Sequence, residues 1–150
     1  MKYLKANVPD AAEILDLQKQ AYYSEAEINN DFSIPPLTQT LDQLQAEFEV
    51  KEILKVVADG NIIGSGQVKL ENGTAYIGRI IVQPELWGQG IGSGILKALE
   101  AVFPDAQRFE LFTGARSTKN IALYKNRGYS EFKDALLGNT RVIFLQKFAV

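Results

Sequence analysis

A chain of 150 residues, 46% hydrophobic and 23% charged, carries enough apolar material for one packed core, which argues against a disordered or fibrous protein. Its 16 Lys and Arg nearly balance 18 Asp and Glu, leaving a formal charge of -2 and no basic run of the kind that tracks nucleic acid. Cysteine and histidine are both absent, which excludes disulfides, thiolate nucleophiles and any Ser-His-Asp or Cys-His hydrolase, since those need an imidazole to take the nucleophile's proton.

The start, Met1 to Asn7, lacks the apolar stretch of a secretory leader, and no later run reaches the ~18 apolar residues of a membrane span. A cytoplasmic protein without membrane or nucleic-acid partners is expected. Lys2 to Ala6 reads as a first strand. Asn7 with Asp10 three residues on is a cap pattern, and the near 3.6-residue period of Ala11, Ile14, Leu15 and Tyr22 predicts a helix to about Tyr23. Ser24 to Leu37, with Glu25, Glu27, Asp31 and the tandem Pro35-Pro36, reads as a shaped loop. Thr40-Leu41-Asp42-Gln43 is a capping box, and Leu41, Leu44 and Phe48 mark a second amphipathic helix.

Three strands follow, Ile53 to Ala58, Ile62 to Leu70 and Thr74 to Val82. The turns between them, Asp59-Gly60-Asn61 and Asn72-Gly73, have the chemistry of tight hairpins, so the three should be sequential and antiparallel. A helix from about Gly90 to Phe103 places Ile91, Ile95, Ala98, Leu99 and Val102 on one face and is closed by Pro104. Arg108 to Thr113 reads as a strand, and Ser117 to Asn126 as a helix capped by Arg127-Gly128. Two last strands lie near Tyr129 to Lys133 and Arg141 to Phe148. This order predicts an α/β chain of the α+β kind, a mixed sheet with helices on its faces. The strand-helix-strand unit from Thr74 to Thr113 should be parallel, with a right-handed crossover. Neither a repeat nor a linker interrupts residues 1–150, so one domain is expected.

The segment that carries chemistry runs from Ile80 to Gly94, where Gly88, Gly90, Gly92 and Gly94 fall within seven residues. Glycine lets a backbone approach a ligand closely, and the helix that follows adds free N–H groups and a positive dipole end. Together they make an anion site suited to a diphosphate. No Gly-Lys-Ser/Thr follows, so it is no Walker loop, and the preceding strand ends an antiparallel meander rather than opening a dinucleotide fold.

Trp87-Gly88-Gln89-Gly90-Ile91-Gly92 resembles the acetyl-CoA motif of the GNAT superfamily, the acetyl-CoA-dependent N-acetyltransferases. The run Asn120 to Tyr129 is similar to that family's Asn-x-x-x-Tyr-x-x-x-Gly-Phe/Tyr helix. Trp87 stands where the family usually has Arg or Gln. The resemblance implies a mostly antiparallel sheet of about seven strands, helices on both faces and a splay between the central parallel strands. It implies that Ile80, Ile81 and Val82 pair with the pantetheine arm. The N–H groups of Trp87, Gly88, Gln89, Gly90, Ile91 and Gly92, with the Ser93 hydroxyl, would face the diphosphate. Asn120 would touch the coenzyme, and Tyr124 would lie beside the sulfur as general acid.

Acetyl-CoA is then the cosubstrate, without a metal, and the acceptor a small-molecule or peptide primary amine that attacks directly in a ternary complex. The base is left among Glu25, Glu27, Asp31 and Glu110. A non-catalytic acyl-CoA-binding or partner-docking module of the same fold is the rival reading. The assembly state, a homodimer included, stays open.

Overall fold

The computed structural model describes residues 1–150. Its seven strands are β1 Lys2–Lys5, β2 Glu52–Ala58, β3 Asn61–Glu71, β4 Thr74–Val82, β5 Arg108–Gly114, β6 Ser130–Leu137 and β7 Thr140–Phe148. They form one sheet in the order β1-β2-β3-β4-β5-β7-β6. Only β4 and β5 run parallel, and every other neighbouring pair is antiparallel. The β2–β3 and β3–β4 turns place Asp59 at φ 51 and Gly60 at φ 80, and Asn72 at φ 50 and Gly73 at φ 81, the left-handed pairs that two-residue hairpins require.

Five helices cover the sheet: α1 Ala11–Asn29, α2 Pro35–Thr38, α3 Leu41–Glu47, α4 Ile91–Val102 and α5 Thr118–Asn126. Successive strand residues point to opposite faces, and the two apolar clusters sort accordingly. Ile63 and Val82 pack with Ile91, Ile95, Leu96 and Leu99 of α4 and with Tyr124 of α5. Their neighbours Ile62 and Ile81 pack with Ile14, Leu15 and Leu17 of α1 and Leu44 of α3 on the other face.

The segment from Ser24 to Leu37 departs from its reading as a loop. The first helix continues to Asn29 and ends with Asn30 in the left-handed region at φ 52. Ser24-Glu25-Ala26-Glu27 contains no helix breaker, and fully buried Ala26 ties the last turns to the core. Pro35 and Pro36 occupy the first turn of a short helix, where a missing N–H leaves no bond broken. The capping box at α3 is formed, with Gln43 N–H donating to the Thr40 hydroxyl at 3.2 Å and Thr40 N–H to Gln43 Oε1 at 3.0 Å. Its apolar face is narrower than expected: Leu44 is buried but Leu41 is exposed. Strand β6 runs to Leu137, four residues past the expected end near Lys133, because β7 pairs with it along its whole length. No helix is long and apolar enough to cross a membrane.

The β4–β5 ladder has three rungs, Thr74 with Arg108, Ala75 with Phe109 and Tyr76 with Glu110. Beyond them β4 stays on β3 as far as Val82, and β5 stays on β7 as far as Gly114. The two strands therefore part in the middle of the sheet.

Candidate active site

A bulge shapes the β4 side of this splay. Ser65 faces Ile81 and Gln67 faces Gly78, so β4 uses one more residue than β3 over the same stretch. The extra residue inverts the side-chain alternation. Before it, Ala75 and Ile77 face α4; after it, Ile80 and Val82 do, and Ile81 turns to α1. Arg79 sits in the bulge at φ 50, the one non-glycine residue with positive φ inside a strand.

Gln83 N–H bonds the Ile63 carbonyl at 2.8 Å. By alternation the main chain of Ile81 is then directed at β3, while those of Ile80 and Val82 face the splay. The three residues expected to meet the pantetheine arm are thus not equivalent. Trp87 is half exposed, and its indole N–H donates to the Val82 carbonyl at 2.8 Å.

After the single turn at Pro84–Leu86, the chain passes through Gly88 and Gly90, both at φ 82, into α4. The Trp87 N–H is engaged by the Pro84 carbonyl at 3.2 Å, so it does not join the free donors, contrary to the expectation from the motif. The next six N–H groups, from Gly88 through Gln89, Gly90, Ile91 and Gly92 to Ser93, find no acceptor in the protein. The first closed bond is Gly94 N–H to Gly90 C=O at 3.1 Å. An ordinary helix start leaves four such donors. Here six follow one another from exposed Gly88 into the first turn of α4, at the positive end of its dipole and next to the free β4 edge.

Across the splay, α5 and α1 belong to opposite faces and meet through the gap. The Glu25 carboxylate of α1 accepts hydrogen bonds from the Ser117 hydroxyl and, at 3.1 Å, from the Asn120 amide. Asn120 also donates to the Thr113 hydroxyl at 3.3 Å, so its amide nitrogen faces protein. Asn29 steadies the corner, donating to the Glu25 carbonyl at 2.9 Å and to Ser117 Oγ at 3.3 Å.

Tyr124 is buried, and its hydroxyl has no hydrogen-bond partner in the protein. Gln18 Oε1 is the single fully enclosed side-chain polar atom without a partner, so the Tyr124 hydroxyl keeps an opening. Burial raises the Tyr124 phenol above its ordinary value, with smaller contributions from Tyr22 and Glu25. Tyr22 is pushed up to about 12, chiefly by burial, with Arg79 opposing and Glu25 reinforcing. Gln18, Tyr22, Glu25 and Asn29 thus form a polar stripe at i, i+4, i+7 and i+11 on α1.

The four candidate carboxylates are separated by this arrangement. Glu27 is exposed. Asp31 accepts from Ser33 at 2.6 Å and Thr140 at 2.5 Å, and Glu110 pairs with Arg108 at 2.8 Å. Of the four, Glu25 alone acts by its charge on both Tyr22 and Tyr124. Sequence reasoning missed Arg79, Ser117 and Thr113, and it read Tyr22 as a core residue. The spacing of the α1 polar stripe was the one available signal, and it was masked by ending the helix at Tyr23.

A family model described as the acetyltransferase (GNAT) family matches residues 11–129. The UPF0157 protein YqkA of Bacillus subtilis (strain 168) is 30% identical over 123 residues, which cover 81% of this chain and 35% of that protein. The chain therefore spans about a third of that relative's length. An uncharacterized N-acetyltransferase of the same organism, YjcF, is 30% identical over 123 residues, 78% of this chain and 84% of that one. Among solved structures, the PaiA N-acetyltransferase of Thermoplasma acidophilum, in complex with coenzyme A, shares the fold at a TM-score of 0.84 with 15% identity, over 99% of this chain and 98% of its own.

Proposed function

The chain belongs to the acetyltransferase (GNAT) family, and from that premise we propose that residues 1–150 act as one N-acetyltransferase domain, moving acetyl from acetyl-CoA to a primary amine. The observation that carries this reading is the row of six unpartnered N–H groups from Gly88 to Ser93 at the mouth of the splay. Such a row suits a diphosphate, whose oxygens accept from main-chain donors at the positive end of a helix. Ser93, whose hydroxyl makes no bond in the protein, is a further donor there. The free edge of Ile80 and Val82 offers main-chain groups to the pantetheine amides, with the Val82 carbonyl already taken by Trp87. The Asn120 side-chain oxygen remains available to the coenzyme.

Acetyl transfer proceeds by direct attack in a ternary complex, since no cysteine is present to carry the acyl group. An alkylamine titrates near ~10.4 and must lose a proton before attack. Glu25 would hold and orient the ammonium by its charge, and a water on its carboxylate would relay the proton to solvent before attack. Tyr124 meets the departing sulfur. A thiolate whose thiol titrates near ~8.5 is a weaker base than a phenolate raised above its usual ~10. Full transfer from Tyr124 is therefore uphill, and its contribution is a hydrogen bond that strengthens as charge develops on sulfur.

Thermal denaturation with acetyl-CoA, CoA and ATP tests the donor side. A ligand at 100 times its Kd raises stability by ~2.7 kcal/mol, and this is expected for both thioester carrier forms but not for ATP. An amine panel with detection of freed CoA thiol tests the reaction. Equal stabilisation by ATP, or turnover of hydroxyl acceptors and no amine, would overturn the reading. Binding of CoA without turnover of any amine would favour the non-catalytic module.

A further inference from the structure

Arg79 is not used by the reaction as described, yet the fold holds it at the splay at some cost. Its φ of 50 in mid-strand is a conformation that a non-glycine side chain adopts only when its surroundings enforce it. The bulge that enforces it turns the side chain to the α1 face, where it meets Gln39 between α2 and α3. Arg79 Nη1 donates to Gln39 Oε1 at 3.0 Å. That oxygen also accepts from Gln18 Nε2 at 2.9 Å, while Gln39 Nε2 donates to Glu47 Oε1 at 2.8 Å. Both ends of the Gln39 amide are thereby assigned, and the guanidinium is held by a buried group of set direction.

No carboxylate completes the site. The ion pairs of the protein join Lys5, Lys51, Lys55, Lys69, Arg108, Lys125, Arg141 and Lys147 to acids, and Arg79 is absent from them. Glu47, the nearest acid in its network, already has Lys51 at 3.6 Å and Gln67 at 2.9 Å. A guanidinium has five N–H donors, and one is used. Arg79 is thus a half-buried, permanently charged fork with free donors on the α1 side of the gap, sharing the Gln39 oxygen with Gln18, the first residue of the α1 polar stripe that carries Tyr22 and Glu25. Glu25, of opposite charge, is the third member of that stripe and is bonded by Ser117 and Asn120 on the α5 side, and its charge acts on the same Tyr22 phenol and on Tyr124.

We infer that the acceptor is an amine that also carries a carboxylate, its anionic end on the Arg79 fork and its amine at Glu25, so that Arg79 decides which amines are acetylated. The inference rests on the N-acetyltransferase reading and narrows it. A polyamine would set a second cation against Arg79 and gain nothing there. A carboxylate matches the fork and is desolvated beside it.

The test is steady-state kinetics at saturating acetyl-CoA on matched acceptors: an amino acid, its carboxamide and its decarboxylated amine. The wild type should favour the carboxylate by about 10- to 100-fold in kcat/KM, the worth of a charge-assisted hydrogen bond. In Arg79→Gln that preference should collapse through the KM of the carboxylate member. Arg79→Lys, which keeps the charge and loses the fork, should restore part of it. Thermal melting and CoA binding verify that each variant folds. Equal wild-type turnover of acid and amide, or an equal loss on both in Arg79→Gln, would overturn the inference.

If no acceptor turns over, the transferase reading fails by itself. The anion site is then judged by thermal stabilisation of the CoA-bound protein by the amino acid over its carboxamide. Stabilisation that disappears in Arg79→Gln upholds the site, and its absence removes it.

Discussion

The two walls of the gap between β4 and β5 are made of different material. On the β4–α4 wall the groups offered are main chain, the free edge of Ile80 and Val82 and the row of N–H groups from Gly88 to Ser93, all within fourteen consecutive residues. On the α1–α5 side they are side chains gathered from far apart: Gln18, Tyr22 and Glu25 of α1, then Ser117, Asn120 and Tyr124, joined by Arg79, which the bulge in β4 turns across to them. A wall of backbone can hold a diphosphate with almost any side chains, provided its turn can be made. A wall of side chains can be re-specified by single substitutions while the fold persists. The donor wall should therefore tolerate chemistry and reject conformation, and the acceptor wall the reverse.

Tyr124→Phe tests the acceptor wall most severely. Loss of a hydrogen bond to the charge developing on sulfur should lower kcat by about 100- to 1,000-fold. The thermal shift given by CoA should be retained. Because burial raises the phenol, its ionisation should add no alkaline limb to the pH–rate profile below pH about 10. An unchanged kcat would remove Tyr124 from the reaction.

On the donor wall the matching experiment changes conformation alone. Gly90→Val forces a branched side chain to φ 82, at a cost of about 1–3 kcal/mol, and should weaken CoA binding by about 10- to 100-fold in calorimetry. Gly90→Asn, a residue that accepts the left-handed region, should lose far less. Equal losses in the two would mean that side-chain bulk rather than backbone shape matters there.

A smaller effect is expected from Ser117→Ala, which removes one donor from the Glu25 carboxylate. A hydrogen bond to a charged group contributes about 1.5–3 kcal/mol, and part of that should appear as a raised acceptor KM, with CoA binding unaltered. A change in CoA affinity instead would merge the two walls.

The smallest effect concerns the turn after α1, which Asp31 ties to the start of β7. Hydrogen bonds from Ser33, then Thr140, hold the Asp31 carboxyl below its ordinary value. A lowered folded-state value stabilises the protein above the unfolded value of ~3.9, and that stability is lost as pH falls through the folded value. Thr140→Val should forfeit part of it at neutral pH and move the acid-unfolding midpoint to higher pH, followed by circular dichroism. A midpoint that does not move would show that this hydrogen bond leaves acid stability unchanged.

The elements that local chemistry specifies are legible in the residues themselves. Asp59-Gly60 and Asn72-Gly73 demand hairpins, Thr40 and Gln43 a helix start, and Gly128 a helix end at φ 97. The glycine row is legible for the same reason, since a backbone-built site must be contiguous and must carry residues that allow its turns. Even there the neighbours decide details: Trp87 loses its N–H to Pro84 and sends its indole to Val82.

Seen alone, the chain determined the order of its strands, its tight turns, the glycine-rich entry to α4 and its family likeness, because each depends on residues a few positions apart. Only the tertiary structure decided that α1 runs on to Asn29, that a bulge turns Arg79 toward Gln39, and that Glu25 meets Asn120 across 95 residues of sequence. Those outcomes depend on packing between opposite faces of a sheet that opens after three rungs, and no short stretch of sequence encodes that opening.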